Sequence, residues 1–206
     1  SEAIQITQVH SVAGLLNPGS GLVTERPFRA PHHSITNAAL MGNARLQPGE
    51  VSLAHHGVLF LDEVPEFTRG ALELLRGPLE NREVRLSRAK GTAIYPASFS
   101  LIAAANPCPC GFHGHPSRPC VCSPGQVHRY RNKLSGPLLD RIDLQVWAQP
   151  VDPDELMSTS PGECSSAVRQ RVNAARDLQR MRYKEQSITC NAELVGDGIR
   201  AAADPT

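Results

Sequence analysis

The sequence predicts an α/β fold, a parallel sheet flanked by helices, and three observations carry that prediction. Gly57-Val58-Leu59-Phe60-Leu61 is an apolar run of strand length that ends in Asp62-Glu63, just ahead of Pro65. Ser98 to Ala105 is a second apolar run, closed by Asn106-Pro107. Between them, Leu72, Leu75 and Leu79 recur at helical spacing behind Thr68. Short apolar runs without polar alternation read as strands covered on both faces, which is the habit of parallel sheets. Pro107 stops a ladder and biases Asn106 away from the α region.

The remaining elements follow in chain order. Ile4 to Val12 is a short apolar segment, followed by a Gly/Pro-rich turn region through Gly21. Arg26 to Glu50 reads as loop with one short helix, Ser34 to Met41, and Ser34 as its N-cap. Residues 81–97 predict a β-hairpin: Val84 and Leu86 alternate with Arg85 and Ser87, Ala89-Lys90-Gly91 turns, and Ile94-Tyr95 returns. Leu144 to Ala148 is expected to form a third apolar strand. Asp152-Pro153-Asp154 is a turn-rich linker, and Glu163 to Tyr183 is helical, with Val168, Val172, Ala175, Leu178 and Met181 on one apolar face. The expected division is an α/β core over 1–150 and a linker with helices over 151–206.

The polar residues at the strand ends carry the chemistry. Open α/β sheets bind ligands beyond the C-terminal ends of their strands. An Asp there is suited to holding Mg²⁺ on nucleotide phosphates, and a following Glu to polarising a water as general base. The bland alternative is a strand that ends at a turn with two solvated acids. Asn106 at the neighbouring tip is suited to orienting that water beside Glu63. Arg141, in Leu138-Leu139-Asp140-Arg141-Ile142-Asp143, is suited to stabilising phosphoryl charge on a neighbouring subunit's nucleotide. The set gains weight from its order and spacing.

Composition excludes several classes. The 206 residues suffice for one domain or slightly more, and 40% hydrophobic with 20% charged is ordinary globular usage. The formal net charge of +1 gives no overall field toward nucleic acid or membrane. The basic residues are 18 Arg against 3 Lys, read here as genomic composition rather than phosphate contacts. No run of about 18 apolar residues is present, so no membrane span is expected. No signal peptide is visible, and a cytoplasmic location is expected. At 4% aromatic content, base-stacking platforms are not apparent. No nucleophile elbow or Ser-His-Asp ordering supports hydrolase chemistry of that kind.

Several strings together are specific: Arg26-Pro27-Phe28-Arg29-Ala30-Pro31-His32-His33, Pro48 to His55, Gly57 to Glu63 with Pro65-Glu66-Phe67, Arg76-Gly77-Pro78-Leu79-Glu80, Asn106 to Gly111, and Leu134 to Asp143. Through them the chain resembles the magnesium-chelatase-like AAA+ ATPases, most closely the ComM/YifB branch, over most of 9–185. The resemblance implies a partial AAA+ P-loop core with a helix-2-insert hairpin and the start of an α-helical lid. It implies Asp62 and Glu63 as Walker B, Asn106 as sensor 1 and Arg141 as arginine finger. It also implies ATP and Mg²⁺ as ligands, a hexameric ring, and work on DNA such as branch migration in natural transformation. His56 departs from the pattern, where Asn is common.

Gly-x-x-x-x-Gly-Lys-[Ser/Thr] occurs nowhere, since Lys90, Lys133 and Lys184 all lack a preceding Gly. The expectation is a segment that starts after the P-loop, stops inside the lid, and is inactive alone. In hexameric relatives such hairpins face the pore, where Arg82, Arg85, Arg88 and Lys90 suit a DNA backbone. An ordinary solvated hairpin is the alternative.

Cys108, Cys110, Cys120 and Cys122 form C-x-C-x₉-C-x-C. In a cytosolic chain such a cluster suits tetrahedral Zn²⁺, with reduced thiols or disulfides as alternatives and His113 or His115 as substitute ligands. Cys164 and Cys190 are isolated. The pairs His32-His33 and His55-His56 read as packing or hydrogen-bonding groups near the nucleotide, because adjacent residues on a strand face opposite ways. Two rival functions remain: a magnesium-chelatase motor subunit, or a non-catalytic zinc-containing DNA-binding or assembly module.

Overall fold

The computed structural model describes residues 1–19, 21–89, 91–149, 151, 162–184, 188, 190–194, 196 and 198–200. Lys90 and the Asp152-Pro153-Asp154 linker lie outside the described residues. The chain divides into two compact units, Ser1–Ala148 and Gln149–Thr206.

The first unit is ordered by its sheet. Strands β1 (Phe28–Arg29), β2 (Val58–Leu61) and β5 (Ser100–Ala103) lie parallel in the order β1-β2-β5. Register pairs Phe28 with Val58, and Val58 to Leu61 with Ser100 to Ala103. Leu59 and Leu61 point into the core. β1 falls inside the segment expected to be loop, because two residues are too short for a periodic signal. Its approach to β2 depends on Gly57: a Cβ there would stand 1.9 Å from the Pro27 carbonyl oxygen, which accepts from the Val58 amide at 2.8 Å.

Helices α1 (Glu2–Val12), α2 (Asn37–Met41) and α3 (Glu50–Leu53) precede β2. The short helix begins later than the sequence suggested, because Thr36 rather than Ser34 caps it, accepting from the Ala39 amide. Ser34 instead contacts the His32 ring at 2.8 Å. After β2, Thr68 caps α4 (Arg69–Leu74), and α5 (Arg76–Asn81) follows. The single expected helix is two because Pro78 has no amide for the Leu74 carbonyl and its ring crowds that group. Leu72, Leu75, Val84, Leu86 and Leu138 join Leu59 and Leu61 in one core.

The hairpin forms as expected, with β3 (Glu83–Arg88) antiparallel to β4 (Gly91–Pro96). Val84 and Leu86 are buried, Arg85 and Arg88 exposed. The Tyr95 hydroxyl donates to the Leu46 carbonyl at 2.6 Å, tying the hairpin to the core. Helix α6 (Pro124–Arg131) opens with a capping box between Ser123 and Gln126, and α7 (Gly136–Leu139) follows.

The expected strand over Leu144 to Ala148 is absent. These residues carry no regular structure, and Leu144 and Val146 are 84% and 89% exposed. A strand requires a ladder partner for its backbone groups, and no described strand pairs with this segment. In the second unit, α8 (Ser165–Arg182) matches the expected helix within two residues, and the Tyr183 hydroxyl donates to Asn191 at 2.7 Å. The expected apolar stripe of α8 is largely exposed, Leu178 by 62%.

Candidate functional site

The C-terminal edge of the sheet gathers the predicted acids. β2 ends at Leu61, and Asp62 and Glu63 follow as exposed residues at its tip. Glu63 has φ 50°, a left-handed conformation that breaks the chain out of the strand. A non-glycine residue held there costs about 1–3 kcal/mol, and such residues recur at active sites and switch regions. Asp62 Oδ1 accepts from the Glu63 amide at 2.8 Å, which fixes the aspartate at the strand end.

The neighbouring tip is held beside it. The Ala104 amide donates to the Leu61 carbonyl and the Val64 amide to the Ala104 carbonyl, both at 2.9 Å. Asn106, two residues on and exposed, therefore leaves β5 next to the Asp62–Glu63 turn. His33 also reaches this edge, from the loop after β1. Its Nδ1 stands 3.5 Å from Glu63 Oε2, and its ring meets Phe67 edge-on. Behind it, Arg29 makes a two-point ion pair with Glu50 at 2.5 and 2.7 Å. Donating to the Glu50 carboxylate raises the guanidinium's pKa further.

Arg141 is placed differently. Its guanidinium pairs with Glu80 of α5 and donates to the Pro137 carbonyl, and its Nε is buried without a partner among the described residues. Its partners among the described residues are thus its own chain's Glu80 and Pro137. Of the hairpin cations, Arg85 sits 3.4 Å from Glu83, Arg88 donates to the Ser87 carbonyl, and Arg82 adopts φ 55° just before β3.

The two histidines before β2 are structural. His55 is buried and its Nδ1 accepts from the Ser98 amide at 3.0 Å, so the neutral ring carries its proton on Nε2. Burial, helped by the adjacent His56 charge, pushes its pKa down to about 4. His56 Nε2 meets Gln5 at 2.6 Å, and its carbonyl accepts from Arg26 at 2.5 Å.

The four cysteines converge. Their sulfurs all lie within 4.8 Å of one another. Cys108 to Cys110, Cys108 to Cys120 and Cys110 to Cys120 measure 3.4, 3.7 and 3.6 Å. A disulfide would need about 2.05 Å. A tetrahedron with Zn–S bonds of about 2.3 Å has edges of about 3.8 Å. Backbone amides of Phe112 and Val121 donate to Cys110 Sγ and pull its pKa down to about 6, while burial pushes Cys122 up to about 12. One thiolate among four close thiols is easy to form and the next is not, which is the imbalance a divalent cation relieves. The donor set therefore fits zinc, and His113 and His115 are outside it. Gly111, at φ 81°, supplies the turn after Cys110.

The family model described as "Magnesium chelatase, subunit ChlI" matches residues 1–156. The chain belongs to that family. An uncharacterized protein of Mycobacterium tuberculosis is 47% identical over all of this chain and 41% of its own length. YifB of Escherichia coli is 49% identical over 85% of this chain and 34% of that protein. Competence protein ComM of Haemophilus influenzae is 48% identical over 83% and 34%. The chain thus spans 34–41% of the length of these relatives. NtrX of Brucella abortus in complex with ADP is 25% identical over 38% of this chain and 19% of that chain, with a TM-score of 0.33, too low to carry weight.

Within this ChlI-family chain, the structure brings Asp62, Glu63 and the Asn106 turn to one edge and the four cysteines to one point. Arg141 is engaged by Glu80 and Pro137 instead, and Arg85 and Arg88 by Glu83 and Ser87. Sequence reading missed His33 as a partner of Glu63, because it treated the His pairs as strand neighbours. The rings of His32 and His33 in fact sit 4.0 Å apart in a loop. It also missed the proximity of α6. Burial and the charges of Glu66 and Glu63 together raise the pKa of Tyr130, and Lys133 pairs with Glu66 at 3.6 Å.

Proposed function

We propose that this chain is the central part of an ATP-hydrolysing AAA+ motor that remodels DNA. The observation that carries the reading is the Asp62–Glu63 turn at the tip of β2, held beside Asn106 by the Ala104 and Val64 hydrogen bonds. Mg²⁺-ATP, when bound, supplies the electrophilic phosphorus and its leaving group. Asp62 is exposed and fixed by accepting from the Glu63 amide, as a metal-holding carboxylate should be. Glu63 takes the proton of the attacking water, with His33 in ion-pairing distance to steer its carboxylate. Asn106 orients that water from the next strand.

Arg141 acts across a subunit boundary in a ring, taken to be a hexamer. For that role it must first leave Glu80, so its present pairing is the resting arrangement in this reading. A structural Zn²⁺ on Cys108, Cys110, Cys120 and Cys122 braces the loop that follows Asn106, and four unbridged thiols suit a cytoplasmic, reducing compartment. No described helix is long and apolar enough to cross a membrane.

The DNA part is supported by the relative whose name is a competence protein and by the exposed Arg85 and Arg88 of the hairpin. The rival reading, a motor that drives metal insertion, is favoured by the family's own description. Turnover of ATP by the longer parent polypeptide, with Mg²⁺ and with or without branched DNA, separates them. Stimulation by the DNA is expected. Turnover indifferent to DNA would contradict the DNA-remodelling reading and favour the rival.

A further inference from the structure

The chain's near-neutral charge conceals a strong segregation. All 20 Asp and Glu lie outside residues 107–139. That stretch holds Arg118, Arg129, Arg131 and Lys133 together with His113, His115 and His128. It is also one structural feature: the cysteine loop followed directly by α6, tied together where Arg131 Nε donates to the Pro107 carbonyl at 3.2 Å.

These cations do not serve the cysteines. The contacts of the Cys110, Cys120 and Cys122 sulfurs are with backbone amides and with one another. Nor do the arginines have acidic partners: Arg118, Arg129 and Arg131 make no ion pair among the described residues. Two are mounted on aromatic faces instead. The Arg118 guanidinium lies 5.4 Å over the Phe112 ring, which His115 also meets edge-on. Arg131 lies 5.6 Å over Trp147, the chain's only tryptophan, itself 61% exposed. Stacking holds the plane of a guanidinium while leaving its N–H fork free for phosphate oxygens. Arg129 is exposed on α6, beside an open recess of about 430 Å³ lined by Glu66, Pro109, Gln126, Arg129, Tyr130 and Lys133.

We propose that the cysteine loop and α6 form a docking surface for single-stranded DNA, with Arg118, Arg129 and Arg131 on the phosphates and Trp147 as a base platform. Arginines without acidic partners beside an exposed tryptophan are the combination that grips a strand without reading its sequence. The inference deepens the DNA-remodelling reading and rests on it for the identity of the partner. It moves the principal contact from the hairpin to the cysteine loop.

The test uses the zinc-loaded parent polypeptide and a fluorescein-labelled oligo(dT) strand, followed by anisotropy across a salt series. Each phosphate contact on a single strand contributes a slope of about −0.7 in log K against log salt. The Arg118→Ala/Arg129→Ala/Arg131→Ala variant should bind at least about tenfold more weakly, with a slope shallower by about 2. Trp147→Ala should weaken binding about tenfold at unchanged slope, the signature of lost stacking. Arg129→Ala alone disturbs no stacked pair, so it remains informative if the triple variant loses zinc or fold, and its slope should fall by about 0.7.

Unchanged affinity and slope in Arg129→Ala and in the folded triple variant would overturn the proposal. So would equal binding of a duplex that ignores Trp147→Ala. ATP turnover of the unmodified protein without DNA reports separately on the Asp62–Glu63 reading: its failure with strand binding intact would leave this surface standing.

Discussion

Glu63 combines an uncommon backbone with an exposed carboxylate and a histidine at 3.5 Å. A strained turn keeps it off the strand's own path, and Asp62 holds the turn by accepting its amide. The acid pair was legible in the sequence because it closes an apolar run and is followed, in order, by Asn106 after a second run and by Arg141. His33 was not, because a contact across two loops leaves no periodic trace. His55 gives a sharper test at this scale. Its folded-state pKa is pushed from 6.5 down to about 4, mainly by burial. The unfolded chain takes up a proton as pH falls through 6.5, and the folded chain resists until about 4. Stability should therefore be full above pH 6.5 and decline toward pH 4, by at most about 3 kcal/mol. Denaturant midpoints at pH 7.5 and 4.5 measure this. His55→Gln should flatten the difference, and an unchanged pH dependence in that variant would refute the assignment.

At the scale of elements, local chemistry explains what was and was not foreseen. The hairpin was legible because Val84 and Leu86 alternate with polar neighbours, and that alternation is the burial pattern found. The helix after the acids was legible as a helix, but Pro78 divides it. β1 and the unformed strand at 144–148 show the limit of reading segments alone: a strand exists only with its neighbour. Phe28–Arg29 has β2 beside it, whereas Leu144 to Ala148 has no paired strand among the described residues. The cysteine loop gives this scale its prediction. Purified under reducing conditions, the protein should contain about one Zn²⁺ per chain, and Cys108→Ser should lose it. Cys108 is fully buried, so the loss should also lower Tm measurably. Metal analysis showing no zinc in well-folded protein would sink the assignment.

Over the whole molecule, the distribution of charge says more than its sum. A formal charge of +1 suggested no preference for polyanions, yet every acid lies outside the cysteine loop and α6. Averages over a chain erase such segregation. The same holds for aromatic content: 4% is low, but Trp147 and Phe112 stand under arginines. The family was legible because its motifs are strings of adjacent residues, whereas Arg141's pairing with Glu80 and the approach of α6 to Glu66 required the folded chain.

In the proposed reaction Glu63 activates water for ATP hydrolysis. The most direct test compares ATP binding and turnover by the parent polypeptide and its Glu63→Gln variant. Glutamine keeps the shape and cannot accept the proton, so binding should persist while turnover falls by about 10²–10⁴-fold. Equal turnover by the two proteins would contradict the claim.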